Sequence, residues 1–214
     1  MTKIVGSISR GQAHEILNQI ENAIKASGVN PEEQAREFIR SNFFGNKTKE
    51  FFAEAKHSDP ILKLISSGEK LILRPRDGSR TIHSSKNVFS VIDSDFKDYG
   101  ANEKGEKTGE TEVDVYEMTK DANFAEMFSS LNNNPEALCL TQDQILEFIE
   151  MHKRWLRTEG YATLFLFKSN NQFFVAYVYF GGDGSLKVYV YRFGDDHVWD
   201  AGYRDRVVVP QRKL

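Results

Sequence analysis

The sequence has little cysteine, which excludes a protein held together by internal disulfides or by a cysteine-rich metal site. Its single cysteine, Cys139, has no partner for an internal disulfide and no second cysteine at metal-ligand spacing. Leu138 and Leu140 flank it, which indicates a small core residue rather than a catalytic thiol. A chain of 214 residues is long enough to bury a core without disulfides, so a reducing compartment fits best.

Long apolar runs are also missing. No stretch approaches the roughly 20 apolar residues of a membrane-spanning helix, and residues 1–10 contain no apolar run of signal-peptide length. We therefore expect a cytoplasmic protein that does not enter a membrane. A dense basic surface is absent too, because the net charge is −3 and residues 93–126 hold eleven Asp and Glu against four Lys. This balance argues against nucleic acid as the partner.

The first third of the chain has the pattern of helices. Apolar residues recur at helical spacing over residues 9–27, and Asn30-Pro31 begins a second helical pattern. A third helix is predicted over residues 47–57, and Asp59-Pro60 is predicted to open a short fourth one that closes near Gly68. These predictions define an N-terminal helical region at residues 1–68.

The pattern changes at Lys70, and residues 69–214 are predicted to form a sheet domain that makes one compact unit with the helices. Strands are expected at 71–73, once or twice within 81–93, and at 113–115. Residues 100–111 contain three Gly and no large apolar residue, so we expect an exposed mobile loop.

Two helices are predicted next. The first covers residues 121–131. The second covers Thr141 to Leu156 and ends at Gly160, with Thr141 and Gln144 in capping-box positions. An apolar stripe that includes Trp155 makes it the main helix expected on the sheet.

Three β-rich runs follow, at 161–167, 173–180 and 186–193, and turn sequences of hairpin length separate them. They predict a C-terminal three-stranded meander. A further run at 207–209 is stopped by Pro210 and is predicted to be an edge strand. The fold class is therefore α+β: N-terminal helices and a mainly antiparallel sheet, with the meander packed by helices.

One face of the meander is rich in tyrosine. Alternation along the strands places four tyrosines on the face opposite Val188 and Val190. Such a face can stack on a partner, and the alternative is that helices cover it. The four candidate binding residues are Tyr177, Tyr179, Tyr189 and Tyr191.

Three arginines, Arg74, Arg76 and Arg80, surround a turn after the predicted strand 71–73. Guanidinium groups in this arrangement could clamp a phosphate or a carboxylate, so these residues are further binding candidates. The alternative is that they pair with the acidic segment 93–126. No glycine-rich phosphate loop accompanies them.

Candidate catalytic residues are His83, Asp93 and Asp95, which a strand-turn-strand layout could bring to the arginines. Asp93 and Asp95 with later acidic residues up to Glu117 could hold Mg²⁺, but their spacing does not match a nuclease pattern. The sequence Asp195-Asp196-His197 permits an acid/base pair or a structural turn. The five histidines show no paired metal-ligand spacing, so we predict no structural zinc. We also predict no other bound metal and no cofactor.

Two blocks of the C-terminal third carry a resemblance. They run from Leu140-Thr141-Gln142 through Arg154-Trp155-Leu156 to Phe167, and from Val198-Trp199-Asp200 to Pro210. Both resemble stretches in a family of uncharacterised bacterial proteins. The resemblance implies a bacterial, cytoplasmic protein and brings no assigned activity or functional residue.

These observations favour a non-enzymatic binding or interaction module whose partner is another protein. The alternative is a small metal- or arginine-assisted hydrolase or nuclease that acts on a phosphoester. Convergence of the arginines with His83, Asp93 and Asp95 in one pocket would favour the enzyme. The sequence itself does not decide whether the protein is an enzyme or what its oligomeric state is.

Overall fold

The computed structural model describes residues 60–211, and the helices predicted between residues 9 and 57 lie outside this range. Within it, the fold is α+β, with eight strands in one sheet and three α-helices. The strands are β1 (Leu62–Leu64), β2 (Leu71–Leu73), β3 (Val91–Ile92), β4 (Thr111–Met118), β5 (Ala162–Ser169), β6 (Gln172–Phe180), β7 (Leu186–Arg192) and β8 (Arg206–Pro210). The helices are α1 (Asp95–Asp98), α2 (Phe124–Leu131) and α3 (Gln142–Met151).

The strand order is β1-β4-β8-β5-β6-β7-β3, and β2 pairs with β4 beside β1. The pairs β5–β8 and β3–β7 are parallel. The sheet is therefore mixed, and the prediction of a mainly antiparallel sheet is wrong. The reason is that β8 pairs with β5 and β3 pairs with β7, in both cases between segments far apart in the sequence, and the local hairpin signals do not reveal such pairings.

The meander itself has the predicted strands, since β5, β6 and β7 are consecutive antiparallel neighbours. Asn170 and Asn171 join β5 to β6 and both have positive φ, 48° and 57°. Asparagine tolerates this left-handed conformation better than most residues, and a turn of this kind matches the twist of paired strands. The local sequence therefore sets the register of this hairpin.

β8 is a central strand rather than the predicted edge strand, because it lies between β4 and β5. Val207, Val208 and Val209 are all buried, so both faces of the strand are covered. A continuous apolar run is typical of such a position. Pro210 is the last residue of the strand and does not place it at the edge.

Helices cover both faces of the sheet. α3 packs its apolar residues, among them Phe148, against a face that includes Phe165 and Val208. α2 packs Phe124 and Phe128 against the opposite face. Both α2 and α3 begin with a capping box, as predicted for α3, whose Thr141 and Gln144 side chains bond to each other's main-chain N–H groups.

Two local predictions fail. Residues 62–64 form β1, not a helix, because they pair with β4 and bury Leu62. α3 ends at Met151, and Trp155 lies in a following 3₁₀ turn, so Gly160 does not end the helix. In each case tertiary pairing or a change of turn type overrides the local signal. The segment 81–93 contains a 3₁₀ turn and one strand, the two-residue β3, which agrees with the prediction of one or two strands there.

The segment 100–111 is largely exposed, as predicted, but it is tied to the turn that follows β2. Arg76 and Thr108 exchange main-chain hydrogen bonds of 3.1 Å and 2.8 Å, and Gly105 N–H donates to the Gly78 carbonyl at 3.1 Å. Ala101 at its start is fully buried. The two segments thus form one hydrogen-bonded surface layer next to α3.

Candidate functional site

The three candidate arginines lie in the turn after β2, and each meets a carboxylate of α3. Asp143 and Glu147, one helical turn apart, both have fully buried side chains that face Arg76. The guanidinium of Arg76 lies 2.9 Å from Asp143 Oδ1 and 3.3 Å from Glu147 Oε2. Arg74 Nε lies 2.5 Å from Glu147 Oε1. The side chains of the three arginines therefore pair with carboxylates of α3, and among the described residues none of them forms a salt bridge with the acidic segment 93–126.

Arg80 completes this arrangement at the surface. It donates to both carboxylate oxygens of Glu150, at 2.6 Å and 3.0 Å, and the hydrogen bond to Glu150 raises the pKa of Arg80. Burial would raise the pKa of Glu147, but the hydrogen bond and charge of Arg74, together with the charge of Arg76, hold it below the usual value. The guanidinium groups are thus engaged within the protein, and their predicted role as an anion clamp stays a prediction.

The candidate catalytic residues do not join this cluster. His83 is half-buried in a 3₁₀ turn, and its Nδ1 has no hydrogen-bond partner among the described residues. Asp93 Oδ1 accepts a hydrogen bond from Asp95 N–H at 3.1 Å, and Asp93 Oδ2 accepts a longer one of 3.4 Å from Val190 N–H. In the hydrogen bonds of residues 60–211, neither aspartate pairs with an arginine of the 74–80 turn.

Asp93 and Asp95 instead open onto a depression of about 570 Å³ where β3 ends beside β7. We call it the β7 depression. Aromatic rings and charged groups line it, and its lining contains neither His83 nor the three arginines. The lining residues are Asp93, Asp95, Tyr99, Gln172, Phe173, Val190, Tyr191, Arg192, Phe193, Gly194 and Asp195.

Carboxylates of the β7 depression help to raise the pKa values of the tyrosines next to them. A hydrogen bond to Asp95 and the charge of that carboxylate raise the pKa of the Tyr99 phenol. Burial, with the charges of Asp93 and Asp195, raises the pKa of Tyr191. The guanidinium of Arg192 lies 4.6 Å from the centre of the Tyr99 ring, a cation–π contact.

The four candidate tyrosines form a contiguous patch on the face of the sheet that α2 also covers, and all four are half-buried. Tyr179 and Tyr189 stack with ring centres 5.8 Å apart, and Trp199 lies 5.1 Å from Tyr177 and 5.4 Å from Tyr191. Burial and a hydrogen bond to Tyr189 raise the pKa of Tyr179 to about 12. Burial likewise raises the pKa of Tyr177. Only Tyr191 of the four also lines the β7 depression.

The sequence Asp195-Asp196-His197 is a turn, and its carboxylate does not orient the imidazole. Asp195 Oδ1 accepts from the main-chain N–H of His197 at 2.9 Å, and the imidazole packs edge-on against Trp199 at 4.8 Å. Asp195 does line the β7 depression, a role that sequence reasoning missed. Tyr99 and Arg192 were missed too, because only the β3–β7 pairing, which joins segments about 100 residues apart in the chain, brings them together.

The remaining acidic candidates do not join Asp93 and Asp95. Those from Glu112 to Glu117 lie on β4, which is separated from β3 by most of the sheet. No group of three His, Cys, Asp or Glu side chains within residues 60–211 is arranged to hold a metal ion. Cys139 is half-buried, and burial raises the pKa of its thiol to about 12, which leaves it a poor nucleophile.

Comparisons with known proteins add no family to this geometry. The chain has no significant match to a protein-family model, to a curated protein or to a solved structure. No helix in the described part of the chain is long and apolar enough to cross a membrane. The resemblance to uncharacterised bacterial proteins stays a prediction.

Proposed function

We propose that the protein is a non-enzymatic binding module and that its partner, another protein, docks at the β7 depression. The observation that carries this proposal is the composition of the depression, in which four aromatic rings and four charged side chains surround one concavity. Tyrosine, phenylalanine and arginine are enriched at protein–protein interfaces, and all three line this depression. A bacterial source and a cytoplasmic location belong to the same proposal.

The alternative hydrolase would need an arginine, a general base and acidic residues around one reacting atom. The residues predicted for that role are divided between two places. Arg74, Arg76 and Arg80 contact α3, whereas Asp93 and Asp95 line the β7 depression. This division supports the binding module over the hydrolase.

The test is a pull-down from bacterial lysate with wild-type protein and two charge-reversal variants, washed at raised salt to remove weak charge contacts. Asp95→Arg changes a residue that lines the depression. Asp98→Arg is the matched control, because Asp98 is an exposed residue of the same helix, α1, that does not line it. We expect a stoichiometric, salt-resistant protein that Asp95→Arg loses and Asp98→Arg retains.

Two outcomes would contradict the proposal. A partner retained by both variants or lost by both would place the docking surface elsewhere or show nonspecific binding. An empty pull-down, together with hydrolysis of a phosphodiester that Asp93→Asn abolishes, would replace the binding module with the hydrolase.

A further inference from the structure

The two edges of β7 can be distinguished from its hydrogen bonds to β6. Phe193 N–H donates to the Phe173 carbonyl at 3.1 Å, and Gly181 N–H donates to the Ser185 carbonyl at 2.8 Å in the same register. In an antiparallel pair, residues that bond to the partner alternate with residues whose N–H and C=O point away. The odd-numbered residues of β7 therefore bond to β6. The even-numbered residues, including Val190 and Arg192, direct their main-chain groups to the opposite edge.

β3 occupies only the first part of that opposite edge. Asp93 N–H donates to the Val188 carbonyl at 3.0 Å, which is the last main-chain bond of the parallel ladder. The next main-chain donor of β7 on this edge, Val190 N–H, donates to the side-chain carboxylate of Asp93 instead of to a main-chain carbonyl. After Asp93 the chain leaves the line of β3 and forms α1, which stays next to β7, where Arg192 lies over the Tyr99 ring.

The edge of β7 beyond this point is left open. In the hydrogen bonds of residues 60–211, neither the Val190 carbonyl nor the Arg192 N–H has a partner. The Arg192 carbonyl is already used, because it accepts from Asp195 N–H at 3.0 Å. Val190 and Arg192 both line the β7 depression. One free acceptor and one free donor thus flank Tyr191 on the side of the concavity.

This spacing fits a single residue of an added strand. In a parallel ladder, one residue donates its N–H to the residue before its opposite number and accepts from the residue after it. A residue placed opposite Tyr191 would therefore satisfy both the Val190 carbonyl and the Arg192 N–H. It would continue the line of β3, which is parallel to β7. Unpaired main-chain groups at a strand edge are templates for the addition of an extended peptide.

The charges around the open edge select the peptide. Three carboxylates, those of Asp93, Asp95 and Asp195, line the depression against one guanidinium, that of Arg192. The Arg192 side chain lies over Tyr99 and forms no salt bridge within the described part of the chain. The excess of negative charge complements a Lys or Arg side chain on the incoming segment.

We propose that the partner binds by strand addition: an extended segment of another protein, carrying a Lys or Arg, pairs with β7 through the Val190 carbonyl and the Arg192 N–H. This inference rests on the proposed function, because it specifies how a partner occupies the β7 depression. Since only one residue of main chain is paired, a short peptide binds weakly, and the charged side chain supplies selectivity. In the whole partner, the rest of the interface around this contact supplies the salt-resistant affinity.

The test uses full-length protein and the capped peptide acetyl-Val-Thr-Arg-Thr-Val-amide, with amide resonances followed by NMR. We expect saturable binding that shifts the Arg192 amide resonance downfield, because that N–H gains an acceptor. N-methylation of the arginine residue in the peptide removes its donor and should weaken binding about tenfold. A peptide with Glu in place of Arg should not bind.

Matched variants test the role of charge. Asp95→Asn should weaken binding of the arginine peptide several-fold, and Asp98→Asn on the same helix should leave it unchanged. Melting temperatures of the variants show whether each is folded.

The inference is overturned if butylguanidinium, which has no peptide main chain, binds as tightly as the peptide, or if N-methylation has no effect. Either result would describe a cation pocket without strand addition. Absence of peptide binding while a lysate partner remains sensitive to Asp95→Arg would overturn strand addition and leave the proposed function standing. If the peptide does not bind and no lysate partner is sensitive to Asp95→Arg, both strand addition and the proposed docking site at the β7 depression are overturned.

Discussion

The carboxylate of Asp143 binds both the Arg76 guanidinium and the main chain of the turn that contains Arg76. One oxygen lies 2.9 Å from the Arg76 guanidinium, and the other accepts the Gly78 main-chain N–H at 3.1 Å. Asp143 is completely buried, so the pair holds the turn after β2 onto the first turn of α3. The arginines thus have a structural task that links two segments of the chain.

Removal of that carboxylate should be costly. Asp143→Ala leaves Arg76 and the Gly78 N–H without this acceptor in a buried setting, and we expect a loss of about 3–5 kcal/mol in the free energy of unfolding. Glu150→Ala is the matched control, because it removes the partner of Arg80 at a more exposed end of the same helix. Its loss should be about 0–1 kcal/mol. Urea denaturation measures both, and equal losses would show that the Asp143 pair does not hold the turn.

Gly78 gives a second test of the same layer. Its φ is +77°, and a Cβ built there would lie 2.4 Å from the Gly105 carbonyl oxygen. Gly68 is the matched control, since its φ is +86° but no atom of residues 60–211 lies within 4 Å of a built Cβ. Gly68→Ala should therefore cost only the left-handed strain, about 1–2 kcal/mol, whereas Gly78→Ala should cost clearly more. Thermal unfolding that ranks the two variants equally would contradict the close approach.

The sequence predicts those elements whose causes are local. The capping box of Thr141 and Gln144 spans three residues, and the β5–β6 hairpin depends on Asn170 and Asn171 between two apolar runs. Strand order has no such local cause. Val207–Val209 has the continuous apolar character of a central strand, but the sequence does not state which strands flank it.

The candidate site divides in the same way. Asp93, Asp95 and Tyr191 were singled out by residue type, and the structure places all three in one depression. The arginines were singled out for the same reason, but their partners lie about 70 residues away on α3. Sequence spacing carries no information about such a pairing. Arg192 and Tyr99 become candidates only after the β3–β7 pairing is known.

The sequence pattern predicts Trp155 on the apolar stripe of the main helix, and its position in the structure changes the expected effect of its removal. It lies half-buried in the 3₁₀ turn after α3, whereas Phe148 is fully buried within the helix, 5.5 Å from Phe165. Phe148→Ala should cost about 3–5 kcal/mol. Trp155→Ala should cost less, about 1–2 kcal/mol, because less apolar surface returns to water. Urea denaturation of both variants checks the ranking, and a reversed order would contradict this packing.

Asp205 should make stability depend on pH. Its Oδ1 accepts the Ala162 N–H at 2.8 Å, and its buried Oδ2 has no hydrogen-bond partner among the described residues. Burial raises the pKa of this carboxyl to about 6. Because the folded state holds the proton more tightly than the unfolded state, the resulting stability is present below about pH 4 and is lost as the pH rises through about 6.

Asp205→Asn keeps an acceptor for Ala162 and removes the titration. The difference in unfolding free energy, variant minus wild type, should therefore rise by about 2–3 kcal/mol between about pH 4 and about pH 7, because the pKa is raised by about two units. Urea denaturation of both proteins across that range measures the difference directly, and effects of other titrating groups cancel. A constant difference would mean that Asp205 ionises in the folded protein as it does in the unfolded chain. A falling difference would mean that the carboxylate is stabilised by its surroundings, in which case burial does not dominate its pKa.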